Sequence, residues 1–256
     1  MQRDTAKTDI GGPCEAFQTT HWSEIYRADT TDDGRRTIII STLLNRYWKP
    51  VYCYLRRKGY DNERAKDLTQ GFFQEIVLSS SLLKRADKGK GRFRTFLLTA
   101  LSCYVNDQHR KKSTRRRAPR GVILSVDDRD MALTPELPAH LSPENAFNYT
   151  WATELLDQVI CLVREECRSS GRETHWCMFR DRMLEPIFQN RTPPSIGQLC
   201  EKHGIQDQSR ASNMIITVKR CFRRILEQQL KLSTESDSDF SREYNDLLQF
   251  LGRGAG

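Results

Sequence analysis

Residues 194–226 read PSIGQLCEKHGIQDQSRASNMIITVKRCFRRIL. Ser195 can cap a short helix over 196–203, because its hydroxyl can accept from an otherwise unpartnered backbone N–H. His203-Gly204 stops that helix. A polar turn follows, which reads about four residues longer than the usual 3–4-residue turn between two such helices. A second helix then runs from about Ser209 to Leu230. It ends in a basic cluster, with six Lys/Arg between Arg210 and Lys231 set against Asp207 and Glu227. A short helix, a tight turn and a basic helix is the way DNA-reading modules are built.

Upstream of this stretch the apolar spacing is also helical. Trp151, Leu155, Val159 and Leu162 share a face. After Gly171, Trp176, Phe179, Met183 and Ile187 do so again, until Thr192-Pro-Pro-Ser195 breaks the chain. Ser142 or Asn148 can open this part. Toward the N-terminus, Ile40, Leu43, Leu44, Tyr47, Val51, Tyr54 and Leu55 predict a helix over 37–58 that Pro50 must kink or restart and Gly59 ends. Asp61 caps the next helix, which carries Ala65, Leu68, Phe72, Phe73, Ile76 and Val77. A KGKG loop at 88–91 leads to a third helix from Phe93 to about Lys112, with a stripe of Phe93, Leu97, Ala100, Leu101 and Tyr104. No period-two strand run is present. The fold expected is all-α, with two helical domains at 19–112 and 148–231. Residues 1–18 read as a disordered N-terminus and 113–147, with four prolines, as a linker. Residues 232–256 form an acidic, then amphipathic tail (Tyr244, Leu247, Leu248, Leu251).

Length and charge agree with this reading. A chain of 256 residues suggests one or two domains. The formal net charge is +8, but it is unevenly placed. Residues 84–120 hold thirteen Lys/Arg against Asp87 and Asp107, a net +11, so the remaining 28 basic and 31 acidic residues leave −3. Such a strip favours a polyanionic partner. No run approaches the roughly 18 apolar residues of a membrane span, and the N-terminus lacks the apolar core of a secretory signal. We expect a cytoplasmic protein with no membrane partner. The eight cysteines form no C-x-x-C pair. Cys161 and Cys167 point about 120° apart on a helix, so we read reduced thiols, with no metal site and no cofactor. The five histidines are scattered, and no nucleophile elbow, P-loop or HExxH is present. We expect no enzyme activity. A nuclease using magnesium would lack paired carboxylates at a workable spacing.

Two segments carry a family resemblance. RYWKPVYCYLRRKGYDNERAKDLTQGFFQEIV (46–77) followed by RADKGKGRFRTFLLTALSCYVNDQHRKK (85–112) resembles region 2 of bacterial sigma-70 family factors, most of all the extracytoplasmic-function (ECF) type. The 194–226 segment resembles region 4. The likeness covers about 19–250, and its most specific match is Asp67-Leu-Thr-Gln70 with Phe73 ahead of a basic helix. Gly71 departs from it, standing where the family usually has an acid, and so does Ser102-Cys103, where a basic or His pair is common.

The resemblance implies a promoter-specificity subunit. Asp67, Gln70, Phe73 and Gln74 would dock on the β′ clamp helices of core RNA polymerase, with the β flap as a second contact. Asp67, Gln70 and Gln74 fall at i, i+3 and i+7, on one helical face. Arg92, Arg94, Asn106, Asp107, Arg110, Lys111 and Lys112 would meet the minus-ten element of promoter DNA. Phe93, Phe96 and Tyr104 could stack on bases, although their spacing suits a core better. Arg210, Ser212, Asn213, Thr217, Lys219, Arg220, Arg223 and Arg224 would meet the minus-thirty-five element, with Ser212 and Asn213 reading bases and Arg220, Arg223 and Arg224 holding phosphates. An anti-sigma factor is a further partner of such proteins. The alternative is a stand-alone helix-turn-helix regulator acting without polymerase. The acidic tail could also fold over a basic DNA-binding face, although a short packing helix is the plainer expectation.

Overall fold

Helix is the only regular structure among the described residues, as expected. The structure is a computed structural model that describes residues 46–74, 93–115, 140–231, 234 and 237–253. The expected disordered N-terminus, the KGKG loop, Ile76, Val77, Arg92 and most of the 113–147 segment lie outside these residues. The chain divides into two compact units. One takes the chain up to Glu154 and again from Leu230, and the other is Leu155–Gln229.

The first unit is built around α1, helical over 46–57. Residues 50–56 are all buried, so this helix is enclosed on every side. The chain stays helical across Pro50, so of the expected kink or restart the restart does not occur. An internal proline costs about 3 kcal/mol, and burying each large apolar side chain returns about 1.5–3 kcal/mol. Val51, Tyr54 and Leu55 are each fully buried, which is enough to hold the helix. Gly59, at φ +91°, ends it. There Gly59 N donates to Arg56 O and Tyr60 N to Leu55 O, the paired bonds of a left-handed helix stop.

Helix α2 (Asn62–Phe72) starts on Asp61, whose Oδ1 accepts from Arg64 N at 2.7 Å. It buries Ala65, Leu68, Thr69 and Phe72. Helix α3 (Phe93–Arg115) buries Phe93, Leu97, Leu101, Tyr104 and Val105. Phe93 meets the Tyr47 ring edge-on at 5.4 Å, and Tyr104 meets Phe72 at 5.6 Å. Phe93 and Tyr104 are therefore core residues, while Phe96 is half-buried. Helix α4 (Pro143–Ser169) begins with Ser142 Oγ accepting from Asn145 N at 3.2 Å. Its first turns bury Phe147 and Trp151 in this unit.

In the second unit, α5 (Glu173–Phe179) runs into a π-helical turn, Arg180–Leu184, and then α6 (Glu185–Phe188). The π turn inserts an extra residue into the helical phase. Trp176 and Phe179 are buried as their spacing predicts, but Ile187 is rotated outward and is 72 % exposed. Asn190, at φ +48°, closes α6, with Arg191 N donating to Pro186 O at 2.9 Å. Helix α7 (Ile196–His203) and α8 (Gln208–Lys231) complete the unit. The last helix, α9 (Asp237–Arg253), belongs with the first unit.

Among the described cysteines, Cys53, Cys103, Cys167, Cys177, Cys200 and Cys221 are free thiols. No helix among the described residues is long and apolar enough to cross a membrane.

Candidate nucleic-acid interface

Helices α7 and α8 of the second unit cover the stretch expected to form a helix-turn-helix. Ser195 Oγ accepts from Gln198 N at 3.2 Å, and Gln198 Oε1 accepts from Ser195 N at 2.8 Å, a reciprocal capping box. Gly204, at φ +65°, takes the left-handed position that ends α7, and Ile205 N donates back to Cys200 O at 2.9 Å. Asp207 opens α8, its carboxylate accepting from Ser209 N at 2.8 Å. The turn is thus 204–207. It has the usual length for this motif, not the elongated one expected. Gly197 sits where α7 passes α8, and a Cβ there would lie 3.6 Å from the Gln208 amide nitrogen.

Helix α8 buries Ala211, Met214, Ile215, Val218, Ile225 and Leu226. Leu230 and Gln229 are buried near its end, and Cys221 and Phe222 are half-buried. Arg210, Asn213, Lys219, Arg220, Arg223 and Arg224 are exposed, and Ser212 and Thr217 are half-buried. Thr217 Oγ1 donates to Asn213 O at 2.8 Å. Arg223 donates to Glu227 at 2.9 Å. Arg224 donates to Glu166 Oε2 at 2.5 Å, and Cys221 Sγ donates to Glu166 Oε1 at 3.3 Å. The Arg224 hydrogen bond is the main reason the Glu166 carboxyl sits below its ordinary range. Burial, followed by the Glu166 contact, pushes the Cys221 thiol up to about 11. A phosphate would have to compete with these carboxylates for Arg223 and Arg224.

Behind the motif lies Asp181, 3 % exposed, on the π turn. It accepts from Arg180 Nε at 2.9 Å and from Lys202 Nζ at 2.7 Å, and it meets His203 Nε2 at 2.9 Å. Lys202 and His203 are in the last turn of α7, so one buried carboxylate anchors the first helix of the motif. Burial alone would raise the Asp181 pKa. The bonds from Lys202, Arg180 and His203 outweigh it and lower the pKa to about 2.

In the first unit, Asp67 and Gln70 are exposed along α2, and Gln74 is exposed in the π-helical residues just after it. Phe73 is not available for docking. It is 4 % exposed, stacked on Trp48 at 6.1 Å and edge-on to Phe72 at 5.4 Å. Along α3, Asn106, Asp107 and Arg110 are exposed, and Arg110 donates to Asp107 at 2.9 Å. Lys111 and Lys112 lie on the helix.

Arg94 departs most from expectation. It was read as a DNA contact, yet it is 3 % exposed. Its Nε and Nη2 each donate to Glu243 at 2.9 Å, Nη2 also donates to Asp246 at 2.8 Å, and Nη1 donates to Asn148. The guanidinium lies 4.3 Å over the Trp151 ring and 5.3 Å from Phe250. Burial opposes the charge, but the hydrogen bonds that Arg94 donates to Glu243 and Asp246 more than offset that and raise the Arg94 pKa. Arg94 ties α3, α4 and α9 together, and the tail acts as a packing helix. Sequence reasoning missed this hub because its partners lie 149 and 152 residues away.

No protein-family model matches the chain, and neither a curated protein nor a solved structure does.

Proposed function

We propose that this chain is a promoter-specificity factor of sigma type, which joins core RNA polymerase and places it on promoter DNA, with no reaction of its own. One observation carries the reading. Helix α8 follows a capped four-residue turn and is anchored on one stripe, while Asn213 and Arg220 are exposed on its opposite side. Such a helix can enter a major groove with side chains near its N-terminus at base edges and later cations at phosphates. The exposed Asp67, Gln70 and Gln74 supply a polar docking face, and Asn106, Arg110 and the lysines after it extend a basic helix toward DNA. The resemblance in 46–112 and 194–226 supplies the polymerase.

The test is reconstituted transcription with bacterial core polymerase on genomic promoter fragments. The protein should co-elute with core and direct initiation at discrete sites. Failure of both ends the reading.

A stand-alone helix-turn-helix regulator is the second reading. It is favoured by the burial of Phe73 and Arg94, which leaves fewer of the expected contacts on the first unit than on α8. Asp67→Ala combined with Gln70→Ala separates the two. The sigma reading expects lost polymerase binding with DNA binding kept, and the alternative expects no polymerase binding in the parent protein either.

A further inference from the structure

The π turn that buries Asp181 also turns Ile187 and Phe188 out into water, 72 % and 69 % exposed. They are not a frayed end. The left-handed Asn190 and the Arg191-to-Pro186 hydrogen bond hold α6 closed just behind them. Ile187 forms one lip of an open cleft of about 430 Å³. The facing wall is one side of α8, where Ser212, Ile215, Ile216 and Lys219 line the cleft at i, i+3, i+4 and i+7. Ile216 is 43 % exposed. Among the described residues, the charged ones lining the cleft are Arg182, Arg191 and Lys219, and no carboxylate lines it. Arg182 is held in place by donating to Pro194 O at 2.6 Å.

The geometry points to a docking cleft for an acidic amphipathic helix of a partner protein, with aliphatic or aromatic anchors between Ile187 and Ile216 and carboxylates on the three cations. An apolar floor ringed by a single sign of charge is the pattern of helix-in-groove recognition. Duplex DNA fits it less well. Phosphates would satisfy the cations but leave Ile187 and Ile216 in water. The proposal stands independently of the promoter reading, since it needs neither polymerase nor DNA.

The probe is a labelled synthetic peptide of about 16 residues, with Leu and Phe at i, i+3, i+4 and i+7 and Glu or Asp elsewhere. It is measured by fluorescence anisotropy against the full chain. A control of the same composition has the apolar residues scattered. The amphipathic peptide should bind at least tenfold more tightly than the control. Ile187→Asp should erase that difference, and Lys219→Glu should weaken binding and flatten its salt dependence. Both side chains are exposed, and an unchanged circular dichroism spectrum reports the fold. Equal binding of the two peptides, or indifference to both substitutions, overturns the proposal. So does a DNA duplex whose binding falls equally on Ile187→Asp, which would assign the cleft to nucleic acid. A dimer that Ile187→Asp converts to monomer would assign it to a second copy of the chain and overturn it as well.

Discussion

Arg94 and Asp181 each hold a unit together through charge that would be costly to bury alone. A buried ion pair contributes little relative to an apolar substitute, but removing one partner strands the other and costs about 3–5 kcal/mol. Arg94→Ala should therefore destabilise the protein by that order in urea unfolding, because Glu243, 1 % exposed, loses the Arg94 guanidinium. Arg94→Lys should recover only part of the loss, because an ammonium cannot reproduce the fork onto Glu243. A residue acting only on phosphate would lower DNA affinity and leave stability alone. Asp181 makes a prediction about pH. Its folded pKa of about 2 lies below the ordinary carboxylate value. The stabilisation is therefore present above about pH 4 and is lost as pH falls through the folded pKa. Asp181→Asn should cost roughly 2 kcal/mol at neutral pH, and the gap between variant and parent should close toward pH 2.

Among the elements, α2 and α3 meet at a site where two sequence rules disagree. Gly71 lies inside a helix, where alanine would be favoured by about 1 kcal/mol. A Cβ at Gly71 would lie 2.6 Å from the Tyr104 hydroxyl, and Tyr104 is 6 % exposed with its ring against Phe72. Gly71→Ala should therefore destabilise the protein by about 1–3 kcal/mol, the usual cost of overpacking. In a Tyr104→Phe background the next nearest ring atom is 3.8 Å away, and the same change should cost much less. A double-mutant cycle in denaturant reads the difference. The capping box at Ser195 is simpler, and Ser195→Ala should lower stability by about 1 kcal/mol. Helix caps, stops and most buried stripes were legible because their signals lie within four residues of one another. The phase change at the π turn was not. Trp176, Phe179, Met183 and Ile187 read as one continuous stripe, and nothing local announces the extra residue per turn at Arg180–Leu184.

Across the whole molecule, the charge that marks the sequence is only partly free to act. On α8, Arg220→Ala should weaken DNA binding almost uniformly across sequences and reduce the salt slope by about 1. Asn213→Ala should instead flatten sequence preference, at a cost of about 1–3 kcal/mol on the preferred site. Titrations of parent and variants over a range of salt separate the two. The sequence by itself determined the all-helical class, the capped helices on either side of the turn after Gly204, the helix after Phe93 and the exposure of Asp67, Gln70 and Gln74. Each of these is written in local spacing, residue chemistry and the period of apolar positions. Tertiary structure alone decided which charges are available. Arg94 and Arg110 carry the same side chain on the same helix, yet one is enclosed by Glu243, Asp246 and Trp151 and the other is exposed. The reason is physical. Burial and ion pairing depend on groups brought together from distant parts of the chain, and a distance of 149 residues leaves no mark on local sequence.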